Sequence, residues 1–185
     1  GLWPKCVNFS TNLAELYSYG WGDPFSHEAV NVAGDILGNY WTILKHILLP
    51  NVSGKRALDL GCFDGKWTYF MDQAASIVCV DLDDTGFKAM QARFPNHPPM
   101  TFYKTDGDEL AGIPDRSVDF IFSMDSLVRS EVPIIQKYIA EFARIISPDG
   151  KICVHLPEQN QHLSWKLGFT QLDSEKIQEF CIASG

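Results

Sequence analysis

The sequence predicts an α/β fold, a doubly wound and mainly parallel sheet with helices on both faces, preceded by an N-terminal helical segment. Three observations predict it. From about residue 55 onward, short apolar runs alternate with stretches of helical period. Successive runs leave on glycine or aspartate, as strands do where they face a ligand rim. A chain of 185 residues, 45% hydrophobic and 21% charged, suits one domain with a single substantial core.

The elements follow in order. "ELYSYGWGDP" is a loop rich in aromatics and glycine. Ser26 is a good N-cap, Glu28 suits a first helical turn and Pro50 supplies a stop. Between them Ala33, Ile36, Tyr40, Leu44 and Ile47 recur at helical spacing, with Gly34 and Gly38 as break points. "RALDLG" (56–61) reads as a buried strand, "SIVCVDLD" (76–83) as a second and "MTFYKTD" (100–106) as a third. "VDFIFSMD" (118–125) is the fourth and "KICVHLP" (151–157) the fifth. Residues 66–75, 85–94 and 131–146 are periodic enough for helices; in the last, Ile135, Ile139, Phe142 and Ile146 mark one apolar stripe. Such alternation implies right-handed crossovers. The expected division is a helical cap or lid over residues 1–54 and a core over 55–185.

Composition excludes several classes. The formal net charge is −8 and no Lys/Arg run forms a basic patch, which argues against DNA and most RNA partners. Cys6, Cys62, Cys79, Cys153 and Cys181 lie far apart with no CxxC pair, so neither a disulfide framework nor a metal site is expected. Small buried thiols of a reducing, cytoplasmic compartment are the simpler reading. No apolar run approaches the roughly 18 residues of a membrane span.

One stretch carries chemistry. In "LDLGCFDG" (58–65) two glycines stand four apart in the turn that leaves the first strand. A glycine-bearing turn there lets backbone approach a ligand closely. Alone the signal is weak. The second strand, however, ends in Asp81, 22 residues past Asp59 (81 − 59), near the ~20 expected of an acid that binds ribose hydroxyls. The third ends in Asp106, placed to meet an adenine edge. Acids often cap strand exits without binding anything; three on one rim beside the glycines make a constellation.

These residues resemble the class I S-adenosylmethionine-dependent methyltransferases, whose fold is Rossmann-like. "ALDLGCFDG" matches the first family motif, "VCVDLD" the acidic strand end and "FYKTDGDEL" the adenine-side segment. "DRSVDFIFSMDSL" and "EFARIISPDGKICVHLP" resemble the fourth strand and the helix–turn–fifth strand unit, so the resemblance spans about residues 55–157. It implies S-adenosylmethionine as cofactor, S-adenosylhomocysteine as product and a small-molecule or sugar-type acceptor. It further implies that Asp59, Gly61, Cys62, Phe63 and Gly65 form the loop beside the methionine part. Asp81 then takes the ribose hydroxyls, Leu82 packs on adenine, and Asp106 with Gly107 meets its exocyclic amine. Ser123, Met124 and Asp125 end the fourth strand beneath the sulfonium and the substrate.

Two positions depart from the family pattern. Pro148-Asp149-Gly150 replaces proline-glycine-glycine, and Phe63 stands where glycine is usual. Because positive φ is costly for phenylalanine, negative φ is expected, with the ring turned into the core or lid. In the competing reading the ring fills the methionine pocket and the chain is a non-catalytic binding module. A dehydrogenase fits less well: 61-x-63-x-65 lacks the middle glycine of G-x-G-x-x-G and any third in register.

Methyl transfer needs alignment and, for some acceptors, a proton acceptor, so no catalytic motif is obligatory. Asp125 and His155, at the ends of central strands, are the candidate bases. The bland alternatives are a helix cap for Asp125 and a satisfied backbone group for His155. Tyr19 and Trp21, beside glycines, are candidates for a lid over the cofactor, whereas Trp41 fits a packed helical stripe. At the other end Ile177, Phe180, Cys181 and Ser184 share one helical face and Asp173 or Ser174 caps it, predicting a helix over 174–184 in place of two further strands. On that reading the last two strands of the family fold are absent from the sequence.

Overall fold

The computed structural model describes residues 43–63, 65–157, 159 and 169–185. Five parallel strands form one sheet in the order β3-β2-β1-β4-β5. They are β1 Arg56–Leu60, β2 Ser76–Asp81, β3 Met100–Lys104, β4 Val118–Ser123 and β5 Ile146–Val154. Alternate residues of the central strands feed two cores. On one face Ala57, Ile77, Cys79, Phe120 and Phe122 pack with Leu44, Leu48, Met71, Phe87 and Met90. On the other, Leu58, Leu60, Val80, Val118 and Ile121 pack with Ile135, Ile139, Phe142 and Phe180. A sheet apolar on both faces must be covered on both, which is the doubly wound arrangement expected.

The first face carries a π-helical turn, Leu44–Leu48, continuing into α1, Leu49–Val52, and also α2, Thr85–Arg93. Pro50 does not stop this helix. The Leu49 N–H reaches back to the Leu44 carbonyl, and Pro50 falls in the first turn of α1, where no N–H is required. The chain leaves the helix at Ser53 and Gly54, whose φ is +67°. The opposite face carries α3, Val132–Ile145, and α4, Ser174–Ser184, which pack on each other. The buried stripe of α3 is Ile135, Tyr138, Ile139, Phe142 and Ile145; Ile146 already belongs to β5.

Two other expectations are corrected. Residues 66–75 form no α-helix, only a 3-10 turn at Thr68–Met71. Thr68 is drawn beneath β1, where its hydroxyl donates to Asp59, and Ala75 N–H is tied to the Lys55 carbonyl, which shortens the run. The fifth strand begins at Ile146, not 151. Its pairing steps from Val118↔Ile146 to Phe120↔Lys151, so Ser147-Pro148-Asp149-Gly150 is accommodated as an irregularity within the strand. Among the described residues no helix is long and apolar enough to cross a membrane.

Candidate active site

Strand order reverses between β1 and β4, and a cleft opens at their carboxyl ends, as the topology requires. Its volume is ≈ 460 Å³. Leu60 and Gly61 line it from β1, Asp81 and Leu82 from β2, Thr105 and Gly107 from β3, and Met124 to Leu127 from β4. Phe63, Ser130 and Tyr138 complete the wall.

Gly61 has φ +78°, and a Cβ there would lie 1.6 Å from the Ser126 hydroxyl. That hydroxyl donates to the Leu60 carbonyl (2.9 Å), so only glycine lets the loops after β1 and β4 close on each other. Asp81 stands at the centre of the wall. Its Oδ2 accepts the Phe63 N–H at 2.8 Å and its Oδ1 the Asp83 N–H at 3.1 Å, which fixes the carboxylate while leaving lone pairs toward the cleft. Leu82 beside it is 60% exposed, and Gly107 (φ +108°) comes close to its side chain.

Phe63 corrects the expectation most sharply. Its φ is +45°, not negative, and the residue is 55% exposed at the cleft wall, not buried in the core. The reason is Asp81: accepting the Phe63 N–H pins the backbone in the left-handed region.

The remaining candidates separate into those on the cleft and those behind it. Met124 and Asp125 line it. Ser123 is fully buried and donates to the Leu60 carbonyl (3.1 Å), so it braces the loop. Asp59 is buried beneath the loop, where Thr68 Oγ1 donates to its Oδ2 at 2.6 Å; burial pushes its carboxyl up to about 7. Cys62 is buried, its thiol pushed up by hydrogen bonding with Cys79 and by burial. Gly65 packs against Phe94 and Met90. Asp106 is exposed and off the cleft wall, where its neighbours Thr105 and Gly107 stand instead. Tyr19 and Trp21 lie outside the described residues, as do the Ser26 cap and Trp41.

Asp125 and His155 come together. His155 Nδ1 lies 2.7 Å from Asp125 Oδ1, with the side chains only 14% and 10% exposed. Asp125 does not cap α3, whose N-cap is Glu131, and the Nδ1 of His155 pairs with Asp125 and not with a backbone group. Asp125 faces the cleft and His155 stands behind it. Among the described residues no group of three or more His, Cys, Asp or Glu side chains is placed to hold a metal ion.

Sequence reasoning missed Thr68, Thr105, Ser126, Ser130 and Tyr138. Tyr138 falls three past Ile135 on the same helical stripe, and burial raises its phenol. The hydroxyl residues carry no periodic signal.

A family model described as a methyltransferase domain matches residues 57–150, just over half of the chain. No curated protein matches it by sequence. Solved structures share its fold. An S-adenosylmethionine dependent methyltransferase from Mesorhizobium loti superposes with a TM-score of 0.64 at 19% identity, covering 78% of this chain and 79% of that one. PH0226 protein from Pyrococcus horikoshii OT3 gives 0.65 at 14% identity, covering 90% and 88%. Phosphoethanolamine N-methyltransferase 1 of Haemonchus contortus, in complex with phosphoethanolamine and S-adenosylhomocysteine, gives 0.57 at 18% identity, covering 78% and 30%. With a glycine turn and a strand-end acid on one cleft and more than half its length matched, the chain belongs to the class I S-adenosylmethionine-dependent methyltransferases.

Proposed function

We propose that the chain methylates a small-molecule or sugar-type acceptor in this cleft, with Asp125 receiving the acceptor's proton and His155 holding Asp125. The observation that carries the reading is the Asp125–His155 hydrogen bond at the cleft wall. A net charge of −8 supports a small acceptor over a nucleic acid. The Haemonchus contortus relative, in complex with phosphoethanolamine, is consistent with a compact acceptor. Five cysteines scattered along the chain with no CxxC pair support a reducing, cytoplasmic setting.

The residues present suit a nucleoside cofactor. A fixed carboxylate at Asp81, an exposed apolar side chain at Leu82 and open backbone at Gly107 offer a diol acceptor beside a surface for a flat base. In the proposed arrangement Asp81 accepts the ribose hydroxyls, while Leu82 and Gly107 bound the adenine. When bound, the cofactor supplies a methyl carbon already activated by its sulfonium. The chain's own part is alignment in a partly enclosed cleft and removal of one proton. With Asp125 ionised, His155 Nδ1 carries the hydrogen and donates to Oδ1, leaving Oδ2 for the acceptor's O–H or N–H.

Calorimetric titration with S-adenosylmethionine and S-adenosylhomocysteine tests the cofactor half; micromolar affinity is expected, and no binding at millimolar ligand overturns it. Transfer of labelled methyl groups to phenolic, sugar, amine and nucleic-acid acceptors tests the other half. Label in a small acceptor is expected, and label confined to DNA or RNA overturns the acceptor class.

A further inference from the structure

Phe63 combines three properties that a surface turn residue has no reason to combine. Its φ of +45° lies in the region that disfavours a bulky side chain. The residue is 55% exposed, so the fold gains little burial from its ring. Its backbone is nonetheless held, because the N–H donates to Asp81 Oδ2 at 2.8 Å. Asparagine or glycine would serve such a turn without strain. Backbone strain of this kind persists where a site uses it. Of the three described non-glycine residues with positive φ, Phe63, Arg116 and Asp125, two line the cleft.

What the ring faces is set by its neighbours. Phe63 and Leu82 are both large, apolar and more than half exposed, and both line the cleft whose carboxylate is Asp81. Asp81 joins them covalently and by hydrogen bond: Leu82 follows it in the chain and Phe63 donates to it. Apolar surface around a hydrogen-bond acceptor suits a ligand part that pairs hydroxyls with a flat or carbocyclic face, as a ribosyl purine does.

We propose that the Phe63 ring is a binding contact for the adenosine part of the cofactor, packing over the sugar and base held by Asp81 and Leu82. The proposal rests on the cofactor reading above. Phe63 is thus a determinant of cofactor affinity and not a plug, and its strained backbone is the condition for presenting the ring to the cleft.

The test compares the parent with Phe63→Gly, Phe63→Asn and Phe63→Leu. S-adenosylhomocysteine and free adenosine are titrated by calorimetry, and melting temperature is read in the absence of ligand. Glycine and asparagine tolerate positive φ, so both variants are expected to melt at or above the parent temperature while binding S-adenosylhomocysteine at least tenfold more weakly. Adenosine affinity should fall by a similar factor, and Phe63→Leu should recover part of the loss. Unchanged affinity in folded Phe63→Gly and Phe63→Asn overturns the proposal, and tighter binding overturns it in favour of an obstructing ring. A loss seen with S-adenosylhomocysteine but not with adenosine also overturns it, since the contact would then lie beyond the nucleoside. If the parent binds neither ligand, the cofactor reading itself fails, a result distinct from parent binding that Phe63 does not affect.

Discussion

His155 Nδ1 and Asp125 Oδ1 stand 2.7 Å apart, joining the ends of β5 and β4 at the wall of the cleft. The pairing of Ser123 with Val154 brings the two strand ends into register, and the His155 N–H donates to the Ser123 carbonyl at 2.8 Å. Asp125 is held at φ +64°. Asp125→Asn should lower the methyl-transfer rate by roughly 10²-fold or more toward an acceptor that must lose a proton, with cofactor affinity unchanged. His155→Gln, which loosens the hold on Asp125, should lower the rate by a smaller factor. A full rate in Asp125→Asn would leave the pair a structural brace only.

Asp81 both fixes the loop and faces the cleft. Asp81→Ala removes hydrogen bonds to a charged group, each worth about 1.5–3 kcal/mol, so S-adenosylhomocysteine affinity should fall at least tenfold. It also releases the Phe63 and Asp83 N–H groups. Asp81→Asn keeps one carbonyl acceptor and should fall between alanine and the parent. Calorimetry that finds parent-like affinity in Asp81→Ala removes the residue from the site.

Asp59 makes folding stability depend on pH. Burial raises its carboxyl to about 7, opposed by the Thr68 hydroxyl and assisted by the Asp81 charge. Because the folded value lies above the unfolded value near 3.9, the folded state binds more protons between the two. The contribution is therefore complete below about pH 4 and is lost as pH rises through about 7, with a slope of at most about 1.4 kcal/mol per pH unit. Asp59→Asn should remove that slope. Urea denaturation at pH 5, 6, 7 and 8 reads it directly; parallel curves for parent and variant would mean a carboxylate charged throughout.

Much of the sheet is legible because a strand buried on both faces must be apolar, and "RALDL", "SIVCVD" and "VDFIFS" have few other options. Asp81 was equally legible as the acid that ends β2 at the cleft, whereas Asp59 lies beneath the loop and Asp106 off the wall. What was not legible depends on contacts distant in sequence. The sign of φ at Phe63 is set by a carboxylate 18 residues away. The lost helix at 66–75 follows from Thr68 serving Asp59. Asp125 and His155 were each visible as strand-end residues, but their pairing, 30 residues apart, is a property of β4 lying beside β5. The cleft hydroxyls of Thr105, Ser126 and Ser130 follow no period, and only the fold gathers them.

The last element offers a test of how a period translates into burial. Helix α4 begins at Asp173, whose Oδ1 accepts the Lys176 N–H at 2.7 Å while Oδ2 accepts from Gln159. Phe180, 5% exposed, packs into the core with α3, whereas Ile182 is 69% exposed. Residues two apart share a face in a strand and lie on different faces of a helix. Phe180→Ala should thus cost about 3–5 kcal/mol and Asp173→Ala about 1 kcal/mol, while Ile182→Lys should stay within about 0.5 kcal/mol of the parent. Chemical denaturation of the three variants separates the alternatives: equal losses from Phe180→Ala and Ile182→Lys would indicate one shared buried face, and with it a strand in place of the helix.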